Sequence, residues 1–198
     1  MAKEQPYHHG DLRQGLLSAA LKILETKDAK SISLREVARQ AGVSHTAPYR
    51  HFEDKAALLA AVAEEGFAEF GQYLRAALVP TDPIESLQAT GAAYVRYAQD
   101  HPTHFRVMFG CFPLNEPPDS SLEVVSKSTF RILVDVIESG QVAGVVKAGD
   151  SNFLALGQWA VVHGIAMLLL DGMLNSADMP NLVDGLIRSG ITGILVSS

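Results

Sequence analysis

Residues Ser33 to Lys55 restrict the fold more than any other segment, because they predict two short helices joined by a tight turn. Ser33 and Glu36 form the S-x-x-E pattern of a capping box at the start of the first helix. Gly42 is expected to end that helix in the left-handed conformation, which costs little for a residue without Cβ. Between these signals apolar residues recur at i, i+3, i+4 and i+7, which places them on one helix face: Leu34, Val37, Ala38 and Ala41.

The second helix of this segment is expected to begin at a Ser44 cap and to run through Tyr49 to Phe52. Most of its side chains carry groups that can form hydrogen bonds, and Phe52 is its only large, purely apolar residue. Thr46, Tyr49 and Arg50 can donate to phosphate oxygens or base edges, so the helix suits the major groove of DNA. The alternative is a helical hairpin inside an ordinary bundle, whose polar groups are only solvated.

Two longer runs resemble a known family. AGVSHTAPYRHFEDKAALL and the upstream YHHGDLRQGLLSAALKIL are similar to the amino-terminal domain of the tetracycline-repressor-like (TetR) family of bacterial transcription regulators. The run WAVVHG, with Trp159, His163 and Gly164, resembles the Trp-His-Gly motif of one carboxy-terminal domain type in that family. The resemblance implies an all-α chain, with a three-helix helix-turn-helix DNA-binding domain at residues 1–54 and a helical effector-binding and dimerisation domain at residues 55–198.

The chain departs from the family pattern at two positions of the second helix. The family often has Gly where this chain has Thr46, and commonly has an aliphatic residue where it has Pro48. Pro48 lacks an N–H and clashes with the carbonyl four residues earlier, so it belongs in a first helical turn. A helix that starts near Thr46 is therefore also possible, and the register of the base-contacting side chains stays open.

The resemblance also implies which residues touch DNA. Thr46, Ala47, Tyr49 and His51 fall where relatives contact the operator, and Lys55 falls where relatives place a phosphate-binding lysine. Asp54 can cap the helix that follows, so the N-terminus of that helix can face the DNA backbone. A solvated lysine at position 55, and an Arg50 that pairs with Glu53 or Asp54, remain alternatives. The predicted DNA-binding set is Ser44, His45, Thr46, Ala47, Tyr49, Arg50, His51 and Lys55.

Charge is distributed unevenly along the chain. The 198 residues carry 16 Lys and Arg against 22 Asp and Glu, a formal charge of −6. Residues 1–60 contain nine basic and seven acidic residues (9 − 7 = +2), so the remainder carries −8. A mildly basic amino-terminal segment followed by an acidic remainder favours specific DNA binding with a modest electrostatic contribution. It argues against a protein that binds nucleic acid over its whole surface.

The remaining composition favours a cytoplasmic protein, and the family resemblance implies a bacterial, nucleoid-associated one. The single cysteine, Cys111, excludes an internal disulfide and a multi-cysteine zinc site. The start, MAKEQPYHHG, lacks the apolar core of a signal peptide. Leu154–Leu170 is interrupted by Gln158 and His163 and is marginally short for a membrane span, so we expect a buried helix and no membrane partner.

Helical periodicity covers nearly the whole chain. A first helix is expected from Leu12 to Leu24, and a helix from Lys55 towards Leu78 is expected to link the two domains. Later helices are predicted at about Ile84–Gln99, Pro102–Phe109, Leu122–Val142, Phe153–Leu174 and Leu182–Leu195.

The last two predicted helices are apolar on more than one face. One face can meet the core of its own chain and the other a second copy, which favours a homodimer formed through these two helices. A monomer with a large interior is the alternative. In the dimer, two recognition helices about 34 Å apart would read an inverted repeat in double-stranded DNA.

Bulky side chains in the middle of the chain and in a later helix predict a pocket for a small apolar or aromatic effector. Ordinary core packing is the alternative, in which His163 would be a hydrogen-bonded core residue. The predicted pocket residues are Tyr94, Tyr97, Phe105, Met108, Phe109, Phe112, Trp159, His163 and Met167.

No cofactor is predicted. His101 and His104 have the spacing of two metal ligands on a helix, but no carboxylate or cysteine pattern supports a metal site. Phosphate-binding loops and nucleophile motifs are also absent from the sequence, so an enzyme is the weakest alternative. These features together predict a dimeric transcription regulator, most simply a ligand-responsive repressor, with a helical protein-interaction module as the second possibility.

Overall fold

A computed structural model describes residues 9–110, 117, 119–175 and 181–196, with side chains from residue 12 onwards. Within these ranges the chain forms α-helices, one short 3₁₀ turn and a single isolated β-bridge, so the predicted all-α class is confirmed. The helices are α1 (His9–Leu24), α2 (Leu34–Gln40), α3 (Lys55–Ala76), α4 (Pro83–Asp100), α5 (Pro102–Phe109), α6 (Ser121–Val142), α7 (Ser151–Leu170) and α8 (Leu182–Thr192).

The chain divides into two compact units. The first runs to Gly66 and resumes at Thr103, and the second takes Phe67–Pro102 and resumes at Pro117. α3 therefore belongs to both units, because its backbone continues from one into the other.

The first unit is built from α1, α2, the first part of α3 and α5. Its α2 begins as predicted, because the Ser33 hydroxyl accepts a hydrogen bond from the N–H of Glu36 over 3.3 Å. The Glu36 carboxylate pairs with Lys27 instead of completing the capping box. Gly42 ends α2 with φ +69°, and the N–H of Val43 bonds the carbonyl of Ala38 over 3.0 Å, which is a Schellman motif.

In the same unit α5 packs closely on α3 at a glycine. A Cβ placed on Gly66 would lie 2.6 Å from Sδ of Met108. The absence of a side chain on Gly66 therefore allows α5 to pack this closely on α3. Phe105 is fully buried one turn earlier on α5. The bounds Pro102–Phe109 agree with the prediction, because Pro102 is suited to the first position of a helix.

The second unit is organised around α4, which packs against α6, α7 and α8. Gly91 lies at this junction, since a Cβ there would meet Ile187 of α8 at 3.0 Å and Val162 of α7 at 3.4 Å. The end of the chain returns to the loop between α6 and α7 through the bridge between Val146 and Leu195.

α7 is buried on only one face within the single chain. One face is buried through Ala155, Val162, Ile165 and Ala166, but Phe153 is 74% exposed and Leu156 is 50% exposed. The expected packing of one face against the chain's own core is confirmed, while the other apolar face, predicted to meet a second copy, is left uncovered by α4, α6 and α8. By length and composition alone, α7 is also the one helix in the described ranges that could cross a membrane, with a mean hydropathy of 1.9 over its apolar window.

Candidate functional site

The second helix predicted for residues 44–52 is shorter in the structure. Instead of a helix from Ser44 to Phe52, it contains one 3₁₀ turn, Pro48–Arg50, with Pro48 at its first position. The expected Ser44 cap was wrong, because Ala47 occupies the cap position without a side-chain bond and the Ser44 hydroxyl lies 3.2 Å from that of Thr46. An α-helix from Ser44 would require the N–H that Pro48 lacks, so the regular turn begins at the proline.

Two buried residues hold this turn, and the predicted contact residues lie around them. Pro48 is fully buried and Phe52 is 4% exposed. The N–H of Phe52 bonds the carbonyl of Pro48 over 2.9 Å, so the two anchors are joined through the backbone. The exposed side chains are Ser44, His45, Thr46, Tyr49 and Arg50, while Ala47 and His51 are half-buried.

Lys55 lies at the start of α3, beside a cap that agrees with the prediction. The Asp54 carboxylate accepts from the N–H of Ala57 over 2.9 Å. The Lys55 ammonium donates to the carbonyl of Lys30 over 2.8 Å, a contact that the sequence pattern did not indicate. An ammonium carries three N–H donors, so this bond orients the group and leaves capacity for a phosphate.

Sequence reasoning also missed Arg13 of α1. Its guanidinium carbon lies 5.7 Å from the centroid of the Phe52 ring, within the range of a cation–π interaction. No local pattern could have indicated this pair, because the two residues are far apart in sequence and meet only when α1 packs against the turn.

The second unit contains a hydrogen-bonded cluster of three predicted pocket residues. The Trp159 indole N–H donates to the Tyr94 hydroxyl oxygen over 3.0 Å, and that oxygen lies 2.9 Å from Nδ1 of His163. Burial raises the pKa of Tyr94 well above its usual value, and burial lowers the pKa of His163 below 6.5. Both groups are therefore neutral near pH 7.

A second cluster lies towards the end of α4. The Tyr97 ring stacks on His101 with centroids 4.7 Å apart, and the Tyr73 hydroxyl lies 3.2 Å from Nε2 of His101. Nδ1 of His101 is 3.7 Å from the Glu69 carboxylate. Burial, followed by the nearby Glu69 charge, raises the pKa of Tyr97.

Comparison with known families identifies both parts of the chain. Residues 16–62 match the model of bacterial regulatory proteins of the tetR family. Residues 87–192, more than half of the chain, match the model of the tetracyclin repressor-like C-terminal domain. The chain belongs to the TetR family. The resemblance to this family is confirmed, while the Trp-His-Gly type of its carboxy-terminal domain stays a prediction, and this TetR family protein is a DNA-binding transcriptional regulator. Homodimer formation is typical of the family.

Individual relatives agree with this assignment. Over 90 residues, 44% of the chain, the TetR family protein is 32% identical to the HTH-type transcriptional regulator AcrR of Shigella flexneri, and it spans 42% of that relative's length. A solved structure of a protein with unknown function from Rhodococcus sp. RHA1 is 35% identical, with a TM-score of 0.81 over 98% of this chain and 100% of the other.

The fold extends to more distant structures. The TetR family regulator PfmR from Thermus thermophilus is 20% identical, with a TM-score of 0.71 over 89% of this chain and 98% of the other. At this identity the likeness supports the fold alone.

The predicted pocket residues of this TetR family protein are divided between its two units. Phe105, Met108 and Phe109 lie in the first unit, where the Phe105 and Phe109 rings are 4.8 Å apart. Phe112 lies outside the described residues. The members in the second unit are Tyr94, Tyr97, Trp159, His163 and Met167.

Proposed function

We propose that this regulator is a ligand-responsive repressor that binds an inverted-repeat operator as a homodimer in the bacterial cytoplasm. The observation that carries the DNA-binding part is the turn after α2, where hydrogen-bonding side chains are exposed between two buried anchors, Pro48 and Phe52. Tyr49 is 54% exposed and Arg50 is exposed beside it, so both side chains are available for contacts with bases or phosphates.

Within this proposal the contacts divide into two roles. The proposed contacts to base edges come from Thr46, Ala47 and Tyr49. Tyr49 lies on the turn, and the other two directly precede it. Lys55 and Arg50 bind phosphates and set the register, and the positive end of α3 adds to the attraction. Ser44, His45 and His51 complete the contact surface.

The proposed dimer interface is the exposed side of α7 together with α8. Phe153, Leu156 and Leu168 are exposed along one stripe of α7, and Leu186 is exposed on α8. A second copy of the chain is the proposed cover for this surface, because pairing α7 and α8 with their copies would form a four-helix arrangement.

A charge placed in the stripe tests this interface. Leu156→Glu should convert the dimer to a monomer, since an unpaired carboxylate would be buried between two apolar faces. Val124→Glu is the matched control, because Val124 is 56% exposed on α6, a helix outside the proposed interface. Light scattering after size-exclusion chromatography should show a dimer for the parent and control. A monomeric parent chain at micromolar concentration would contradict the proposed interface.

The proposed effector is a small apolar or aromatic molecule that binds the helical body. The Trp159, Tyr94 and His163 cluster offers aromatic surface with few polar groups, which is the composition of a site for such a ligand. The effector would favour a conformation that does not bind DNA, with α3 as the covalent connection between the units. The proposal includes no cofactor and no catalytic step.

The decisive experiment is selection of bound sites from random DNA duplexes, with and without a bacterial metabolite extract. An enriched inverted repeat whose recovery falls with the extract would support the whole proposal. Enrichment that the extract leaves unchanged would support DNA binding and leave the effector unsupported. No enriched sequence would favour a helical protein-interaction module, and turnover in a broad substrate screen would favour an enzyme.

A further inference from the structure

We propose that Arg13 is a positioning residue for DNA recognition, which acts through the Phe52 ring on the turn that carries Tyr49 and Arg50. The inference rests on the proposed DNA surface and adds to it a residue of α1 that none of the family motifs assigns to operator contact.

The turn has little support of its own. It is a single 3₁₀ turn of three residues, and its cap residue, Ala47, makes no side-chain hydrogen bond. Bonds between residues i and i+3 have poorer geometry than those of an α-helix, so such a turn depends on its surroundings for a fixed orientation.

Phe52 supplies part of that surrounding support. The residue is 4% exposed, and its N–H bonds the carbonyl of Pro48, the first residue of the turn, over 2.9 Å. Displacement of the Phe52 backbone would therefore also move the carbonyl of Pro48. Tyr49 and Arg50 lie between these two anchors, so their positions depend on how firmly the Phe52 ring is held.

Arg13 is placed to hold this ring. Its guanidinium carbon is 5.7 Å from the ring centroid, and Arg13 is itself half-buried. A planar guanidinium packs on an aromatic face and retains its charge, which makes arginine suited to this role. The competing possibility is that Arg13 binds a DNA phosphate directly and meets Phe52 incidentally.

The two possibilities differ in what they do to salt dependence and sequence preference. A phosphate contact adds about 0.9 to the slope of log affinity against log salt for each phosphate neutralised, and it acts on every sequence alike. A positioning residue leaves that slope unchanged, and its loss weakens the preferred sequence more than a scrambled one.

The experiment uses the full chain and a duplex enriched by the unmodified protein, compared with a scrambled duplex at several salt concentrations. Arg13→Gln should weaken binding to the enriched duplex by about fivefold, the scale of one partly exposed cation–π interaction, with little change on the scrambled duplex and an unchanged salt slope. Lys22→Gln is the matched control, because Lys22 is an exposed base elsewhere on α1.

A double-mutant cycle tests whether the effect passes through the ring. In a Phe52→Leu background, Arg13→Gln should have no additional effect on binding. Additive losses, an equal loss on both duplexes with a shallower salt slope, or no loss at all would each overturn the proposal. If Phe52→Leu does not fold, the slope and the sequence preference of Arg13→Gln still decide between the two possibilities.

Failure of this inference is distinguishable from failure of the proposed function. If the unmodified protein enriches no duplex, DNA recognition itself is refuted and the positioning role falls with it. If the parent chain enriches a duplex and Arg13→Gln behaves like Lys22→Gln, only the role of Arg13 is refuted.

Discussion

The hydroxyl of Tyr94 lies 2.9 Å from Nδ1 of His163, so the two side chains share a hydrogen bond between α4 and α7. The Trp159 indole can only donate, so the Tyr94 oxygen accepts from it and is the shared partner of Trp159 and His163. Burial lowers the pKa of His163, which favours the neutral imidazole. These bonds fasten α4 to α7, the helix of the proposed dimer interface.

Removal of the hydroxyl should therefore weaken the second unit. Tyr94→Phe keeps the ring but takes away the shared partner of Trp159 and His163, so we expect the free energy of unfolding to fall by about 1–3 kcal/mol. Trp159 is the only tryptophan, so its fluorescence during urea unfolding reports on this region. Tyr73→Phe is the control, because it removes one hydroxyl at a partly exposed site. Equal stability in the two variants would contradict a special role for the Tyr94 bonds.

The lowered pKa of His163 predicts a pH dependence of stability. Because the folded pKa lies below the unfolded value of 6.5, the unfolded chain binds more protons between these two values. The contribution of His163 is therefore complete above pH 6.5 and is lost as the pH falls towards and through the folded pKa. Urea unfolding at decreasing pH should show this loss, and His163→Gln should reduce it. A variant with the same pH profile as the parent would assign the dependence to other groups.

Gly140 of α6 offers a test of packing against the loop that follows it. A Cβ at this position would clash with Cγ2 of Val146, which is 2% exposed. Alanine normally stabilises a helix interior by about 1 kcal/mol relative to glycine. The cost of overpacking, about 1–3 kcal/mol, should outweigh that gain, so Gly140→Ala is expected to destabilise the chain.

The matched control for this change is Gly185→Ala on α8, where a Cβ would meet no atom within 4 Å. This variant should be as stable as the parent or slightly more stable. Thermal unfolding of both variants measures the difference. Equal midpoints would mean that Val146 moves aside at little cost.

Local signals predicted the parts of the fold that depend on neighbouring residues. Ser33 and Gly42 bound α2 as expected, because capping and a left-handed glycine need only a few consecutive residues. Pro102 likewise marked the start of α5. The contact residues after α2 were inferred mainly from family resemblance, and their role in binding operator DNA stays a prediction.

Contacts between distant residues could not be predicted from these signals. The bonds from Lys55 to Lys30 and from Tyr94 to His163 form only after helices pack, and no periodicity encodes which polar groups then meet. The apolar residues around α7 predicted a second face that the single chain does not cover, and Phe153 and Leu156 are exposed there, but the pattern did not show what covers this face. The length of the predicted recognition helix depended on whether the Ser44 cap or the missing N–H of Pro48 determines where the helix begins. The local pattern left this open.

The choice between a helix that begins at Ser44 and a turn that begins at Pro48 gives the last prediction. A helix capped at Ser44 would place Pro48 where an N–H should bond the Ser44 carbonyl, and a proline there costs about 3 kcal/mol. Pro48→Leu restores the donor and keeps an apolar side chain at a buried site. We expect the turn to extend into an α-helix, which rotates Thr46 and Tyr49 and changes the duplex consensus enriched from a random pool. Pro83→Ala, at the first position of α4, should leave the consensus unchanged. An identical consensus from Pro48→Leu would show that the proline does not set the register of recognition.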